Sequence, residues 1–238
     1  MLTPLTEKRR SQAGITLVEL LVAMVVLGIV STMLVGTWIS LQRAFAYVRA
    51  DTAAGATGRD ALSRISSELR DAQPNPSGTP ASSTALVVTL TTPYVCDAND
   101  CVFYSAYNNS AAALQSGSSG TSQLRLTAIW LDTSGSAVQK KLYWQRDTNG
   151  DGALNASDRK ILLADNVVNT ATSVNKPIFQ YVLRDSTGSY TFPTSLTSSN
   201  VASLVAVNVE LVVDANLGHS PTYVDLVSTV RPRNAGTN

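Results

Sequence analysis

The chain has 238 residues, of which 44% are apolar, and a formal net charge of +1. That length leaves room for one anchor and one globular domain with a sizeable core, and little for a second domain. A balance this close to zero, with no clustered basic face, gives no electrostatic argument for nucleic acid as a partner.

Residues 1–14 carry Lys8, Arg9 and Arg10 with no compensating run of acids. From Ile15 to about Leu41 the sequence is almost unbroken apolar. Roughly 20 such residues suffice to cross a bilayer as a helix, so residues 15–41 read as a membrane-spanning segment. The basic leader holds its end in the cytoplasm and sends the rest across. An ordinary secretory signal has a shorter apolar core followed by a small-residue cleavage site. Here the small residue, Gly14, comes first, so a cut there leaves the apolar helix on the mature chain. Glu19 is the anomaly, because a carboxylate at membrane depth costs a few kcal/mol and calls for a partner.

The helical pattern continues past the membrane. Over residues 42–73, Ala61, Leu62, Ile65 and Leu69 recur at helical spacing among charged residues such as Arg59, Asp60, Arg64 and Glu68. The helix is expected to end near Gln73, ahead of Pro74 and Pro76. Gly28, Gly36, Gly55 and Gly58 are its weak points, at roughly 1 kcal/mol each relative to alanine.

The basic leader followed by Gly14-Ile15-Thr16-Leu17-Val18-Glu19-Leu20-Leu21-Val22-Ala23-Met24 resembles the class III signal of type IV pilins and type II secretion pseudopilins. The resemblance covers about the first 45 residues. It implies that a prepilin peptidase cuts between Gly14 and Ile15 and methylates the new amino terminus. It further implies that Glu19 pairs with the charged amino terminus of a neighbouring subunit, which would offset the cost of its burial. Ile15 departs from the phenylalanine or methionine commoner at this place, but it remains apolar.

Beyond the prolines, residues 74–238 form short β-like runs separated by Ser, Thr, Gly and Asn. Candidate strands lie at 85–90, 102–107, 123–131, 138–145, 160–163, 178–184, 203–213 and 223–230. An antiparallel sheet follows, with one face on the amphipathic half of the helix and the other toward solvent, giving an α+β fold of pilin-like type. Polar stretches such as 116–122 and 194–200 read as mobile loops.

Two motifs sit in this domain. Cys96 and Cys101 flank a four-residue turn and, outside the cytoplasm, read as a disulfide; a metal site would need more Cys or His nearby. Residues 147–158 place Asp147, Asn149, Asp151, the carbonyl of Ala153, Asn155 and Asp158 at the first, third, fifth, seventh, ninth and twelfth positions of an EF-hand loop, with Gly152 sixth. The run resembles the dockerin variant of that loop, which implies a structural calcium ion in a strand connection. The competing reading is an Asp/Asn/Gly-rich turn that binds nothing.

With one histidine and no nucleophile-base pair, catalysis has no support in the sequence. The expectation is therefore a minor pilin or pseudopilin, in its larger or J-type form. It would begin as a single-pass inner-membrane precursor with a periplasmic or surface domain. Its partners would be other pilin subunits, the prepilin peptidase and the inner-membrane assembly platform. The alternative is a membrane-tethered calcium-dependent protein-binding module.

Overall fold

The computed structural model describes residues 16–75, 81–88, 94–106, 124–134, 140–215 and 223–233. The leader, the Gly14–Ile15 junction and the segment 116–122 lie outside them.

One helix, α1 (Leu17–Arg70), runs through two compact units that divide between Val48 and Arg49. In the first unit none of the described side chains is buried, and it holds the apolar stretch from Leu17 to Leu41. α1 is the single described helix long and apolar enough to cross a membrane.

In the second unit α1 becomes a core element. Gly55, Gly58, Ala61, Ile65, Glu68 and Leu69 are buried along one stripe, as the spacing of Ala61, Ile65 and Leu69 predicts. Gly58 is there for contact: a Cβ on it would stand 2.6 Å from Leu226 Cδ1. α1 stops at Arg70, three residues before the expected end, because Ala72 and Gln73 are drawn into strand β1 (Ala72–Gln73) against Ser105 and Tyr104. Pro74, lacking an N–H, follows directly.

The sheet is antiparallel at every pairing. β1, β2 (Cys101–Ser105), β3 (Arg125–Asp132), β4 (Lys140–Arg146) and β5 (Arg159–Val167) form a meander of neighbours. β8 (Leu204–Asp214) joins it through the single pair Val167–Val213, then carries β6 (Phe179–Arg184) and β7 (Tyr190–Thr191) on that side. β9 (Tyr223–Val230) pairs with β8 over its whole length. Each expected strand from 102–107 onward is present; residues 85–90 give only an isolated bridge, Leu86 to Phe103, within their described part.

The expectation of a solvent-facing side fails for β2 and most of β3. All five residues of β2 are buried, as is Leu126 through Ile129. Residues 82–88 run along the edge of β2 beyond β1, Val87 N–H donating to the Val102 carbonyl at 2.8 Å, and Ala85, Leu86, Val87 and Cys96 enter the core. Alternation survives in β6 and β9, where Tyr223, Asp225, Val227 and Thr229 point outward. The stretch 194–200 is tied down, with Leu196 buried and its N–H donating to the Cys96 carbonyl at 2.9 Å.

A buried ionic cluster links α1 to the sheet. Arg146 Nη2 lies 2.6 Å from Glu68 Oε2, and both side chains are almost fully excluded from solvent. Ser105 Oγ also donates to Glu68 Oε2 at 3.0 Å, and Arg146 Nε donates to Thr127 Oγ1 at 3.1 Å. The guanidiniums of Arg64 and Arg146 lie over the Trp144 ring at 4.6 and 4.9 Å. Glu68 Oε1 has no partner among the described residues. Burial pushes the Glu68 carboxyl up despite the attraction of Arg146, and burial likewise lowers Arg146. Desolvation therefore outweighs the Coulombic gain, as is common for buried pairs.

Candidate functional site

At the start of α1, Thr16 and Glu19 cap the helix reciprocally. Glu19 N–H donates to Thr16 Oγ1 at 3.3 Å, while Thr16 N–H and Oγ1 each donate to Glu19 Oε2 at 3.0 Å. This is a capping box, with Ser/Thr at the cap and Glu three residues on. The carboxylate answers two otherwise unpaired donors and the positive end of the helix dipole. The sequence reading missed this role for Thr16, although Thr-x-x-Glu ahead of an apolar run is its signature. Val18, Val22, Ala23 and Val26 continue an apolar surface beside Glu19.

Residues 147–158 form the β4–β5 connection. Asp147, buried, accepts from Gly150 N–H at 2.6 Å and Gly152 N–H at 2.9 Å. Both glycines take positive φ, 78° and 79°, which the tight path requires. Asp158, also buried, accepts from Thr148 N–H at 2.9 Å and Asn155 N–H at 2.8 Å. Asp151 accepts from Ala153 N–H at 2.8 Å and from the amides of Asn149 and Asn155, bonds that hold its carboxyl below the usual range. Gln145 Nε2 donates to the Asn155 carbonyl at 2.7 Å and ties the loop to β4. The six expected ligands thus share one loop, but among the described residues no three His, Cys, Asp or Glu side chains converge on a common point. The carboxylates are engaged with the loop's own N–H groups, each oxygen keeping a further lone pair. Arg125 reaches in from β3, its Nη1 standing where a Cβ on Gly150 would go.

Cys96 and Cys101 are both buried and both free thiols. The turn between them is organised by Asp97, whose Oδ1 accepts from Asn99 and Asp100 N–H at 2.7 and 3.0 Å. Tyr181, fully buried, donates to the carbonyls of Asp97 and Asp100 at 3.1 and 2.9 Å. Burial pushes the Cys101 thiol well above its usual value, and the neighbouring Cys96 adds to the shift. Burial pushes Asp100 up to about 7, with Asp97 adding to the shift and Leu131 N–H opposing it.

Residues 9–35 match the family described as the prokaryotic N-terminal methylation motif. The chain therefore carries a type IV pilin-like leader. That motif marks pilin-like structural precursors rather than enzymes, and with the apolar start of α1 it fits a membrane-anchored precursor that is cleaved by a peptidase and assembles with other pilin subunits. No curated protein and no solved structure matches the chain.

Proposed function

We propose that this chain is a minor pilin or J-type pseudopilin, a structural subunit of a type IV pilus or type II secretion pseudopilus. The observation that carries the reading is the N-terminal methylation motif running into an apolar helix with one carboxylate, Glu19, followed by a large separate α+β unit. In this reading the peptidase cuts between Gly14 and Ile15, and the apolar part of α1 leaves the inner membrane for the filament core. Glu19 exchanges its capping bonds for the methylated amino terminus of a neighbour, setting axial register. The domain that begins at Arg49 faces outward on the periplasmic or surface side.

Two stabilising elements belong to the same proposal. Cys96 and Cys101 form a disulfide in an oxidising compartment, stiffening the turn that Tyr181 clamps. Calcium, held by Asp147, Asn149, Asp151, the Ala153 carbonyl, Asn155 and Asp158, fixes the β4–β5 loop. The support for this reading is the ligand spacing of residues 147–158 and their place in a single strand connection; the carboxylates would have to exchange their bonds to the loop's own N–H groups for the ion, and Arg125 supplies a competing positive charge at the rim.

The deciding experiment is intact mass and amino-terminal sequencing of protein from native membranes, with and without active prepilin peptidase. A mature chain beginning at N-methylated Ile15 is expected. An uncut Met1, or a cut beyond the apolar run, would overturn the reading and favour a tethered binding module.

A further inference from the structure

A polar cleft of about 510 Å³ opens where the β6–β7 hairpin meets the start of β8 and the residue after β9. Its walls include Arg184, Asp185, Gly188, Tyr190, Ser203 and Arg231. Both guanidiniums are exposed, and neither enters an ion pair among the described residues. Asp185 is the one acid in the wall. Its Oδ1 is taken by Thr187 N–H at 2.8 Å, Thr187 Oγ1 at 2.6 Å and Ser189 N–H at 2.9 Å, and these bonds hold its carboxyl below the usual range. The acid serves the turn, so the cleft keeps an excess of positive charge.

The Arg184 guanidinium is oriented and left open. It lies 5.9 Å from the centre of the Tyr190 ring. On its other approach stands Gly188 at φ +88°, where a Cβ would come to 3.5 Å from Arg184 Nη2. A planar cation held this way suits bidentate pairing with a carboxylate. Tyr190 and Phe192 are 53% and 54% exposed. Tyr190 lines the cleft, and Phe192 follows just past the end of β7. The exposed Tyr190 ring beside two guanidiniums that enter no ion pair among the described residues offers a shelf for the C–H face of a sugar ring, drawn by the negative ring face, with carboxylates reaching the cations. Two cations alone are too few for the charge stripe that nucleic acid recognition needs.

We propose that this cleft binds an acidic, uronate-bearing polysaccharide. The assignment does not depend on pilin processing. The test uses the full chain in non-ionic detergent and measures retention on immobilised oligogalacturonate and alginate, with methyl-esterified oligogalacturonate and poly-glutamate as controls. Retention on at least one acidic glycan is expected, with little on the ester. Arg184→Gln and Arg231→Gln should each weaken it about tenfold, as the loss of a charge-assisted bond implies. Tyr190→Ala should weaken it several-fold without altering its salt dependence. All three positions are exposed, so thermal melts should match wild type. Absence of retention on both glycans, equal binding of the ester, or indifference to both arginine variants would overturn the proposal. Equal or tighter binding of poly-glutamate would overturn it too and make the cleft a site for acidic peptide.

Discussion

Replacing Arg146 by methionine isolates the electrostatics of the contact between α1 and the sheet. Methionine keeps an unbranched stem over Trp144 but removes the guanidinium that lies 2.6 Å from Glu68 Oε2. Glu68 then stands fully buried with one oxygen already unpartnered and the other held by Ser105 alone. Leaving one member of a buried pair uncompensated costs about 3–5 kcal/mol, and because Arg64 still attracts the Glu68 carboxylate the loss should fall toward the lower end, still a large share of the roughly 5–15 kcal/mol by which such domains are stable. The sign with pH follows from the direction of the Glu68 shift. Its folded pKa is raised, so the stability it contributes is fully present below its unfolded value and is lost as pH rises through the folded one. Arg146→Met raises that pKa further. The deficit against wild type should therefore be greatest near pH 8 and shrink toward pH 4. Adding Glu68→Gln should restore most of the loss at pH 8, since a neutral amide needs no counter-charge. Urea unfolding followed by far-UV circular dichroism is the assay, because Trp144 fluorescence changes with the substitution itself. A loss under 1 kcal/mol at pH 8, a pH-independent loss, or no rescue by Glu68→Gln would refute the reasoning.

Asp100→Asn keeps the oxygen that accepts from Leu131 N–H at 3.1 Å while removing a carboxyl whose pKa is pushed up to about 7. That shift stabilises the fold below about pH 4 and is lost as pH rises through about 7, so the variant should gain on the order of 1–3 kcal/mol at pH 8, discounted for partial solvent access, and converge with wild type in acid; equal melts at pH 8 would contradict this. Gly58→Leu forces a side chain onto Leu226 and should cost about 1–3 kcal/mol through overpacking, with Leu226→Ala in the same chain restoring part of it; a melt unchanged by Gly58→Leu would mean that α1 and β9 do not meet there. Saturating calcium at about 100 times its dissociation constant should raise stability by about 2.7 kcal/mol, and Asp151→Ala or chelation should abolish the gain; thermal scans with and without calcium decide between an ion-holding loop and one closed by its own N–H groups.

The elements that were legible in the sequence were those whose periodicity is local. The stripe Ala61, Ile65 and Leu69 and the strand runs from 102 onward read directly from spacing, because burial on one face leaves a repeat of about four or of two. β1 and β7 were missed because a two-residue strand has no period; Ala72–Gln73 exists only by virtue of its partner β2. The full burial of β2 was hidden for a similar reason, since the neighbour along its edge beyond β1 is an irregular segment around Leu86. Glu68 read as a surface charge of an amphipathic helix, yet it lies in the core with Arg146, 78 residues away in sequence. Nothing in a single sequence marks such a pair. At the candidate sites, the placement of residues 147–158 between two strands was anticipated, whereas the Thr16–Glu19 capping box was written in the sequence and passed over for the rarer role of its glutamate.

The unit beginning at Arg49 carries its own buried core, whereas residues 17–48 of α1 are exposed along their length. The two parts of the chain therefore answer to different solvents. In the proposed assembly, the apolar stretch would exchange acyl chains for the flanks of other helices, a trade of one oily neighbour for another with little hydrophobic driving force of its own. In that proposed transfer the folded unit keeps its own core. Under the same proposal, delivery of the subunit rests on what sits at the ends of the apolar stretch, Glu19 above all, while the presented surface can vary without disturbing the machinery that moves it.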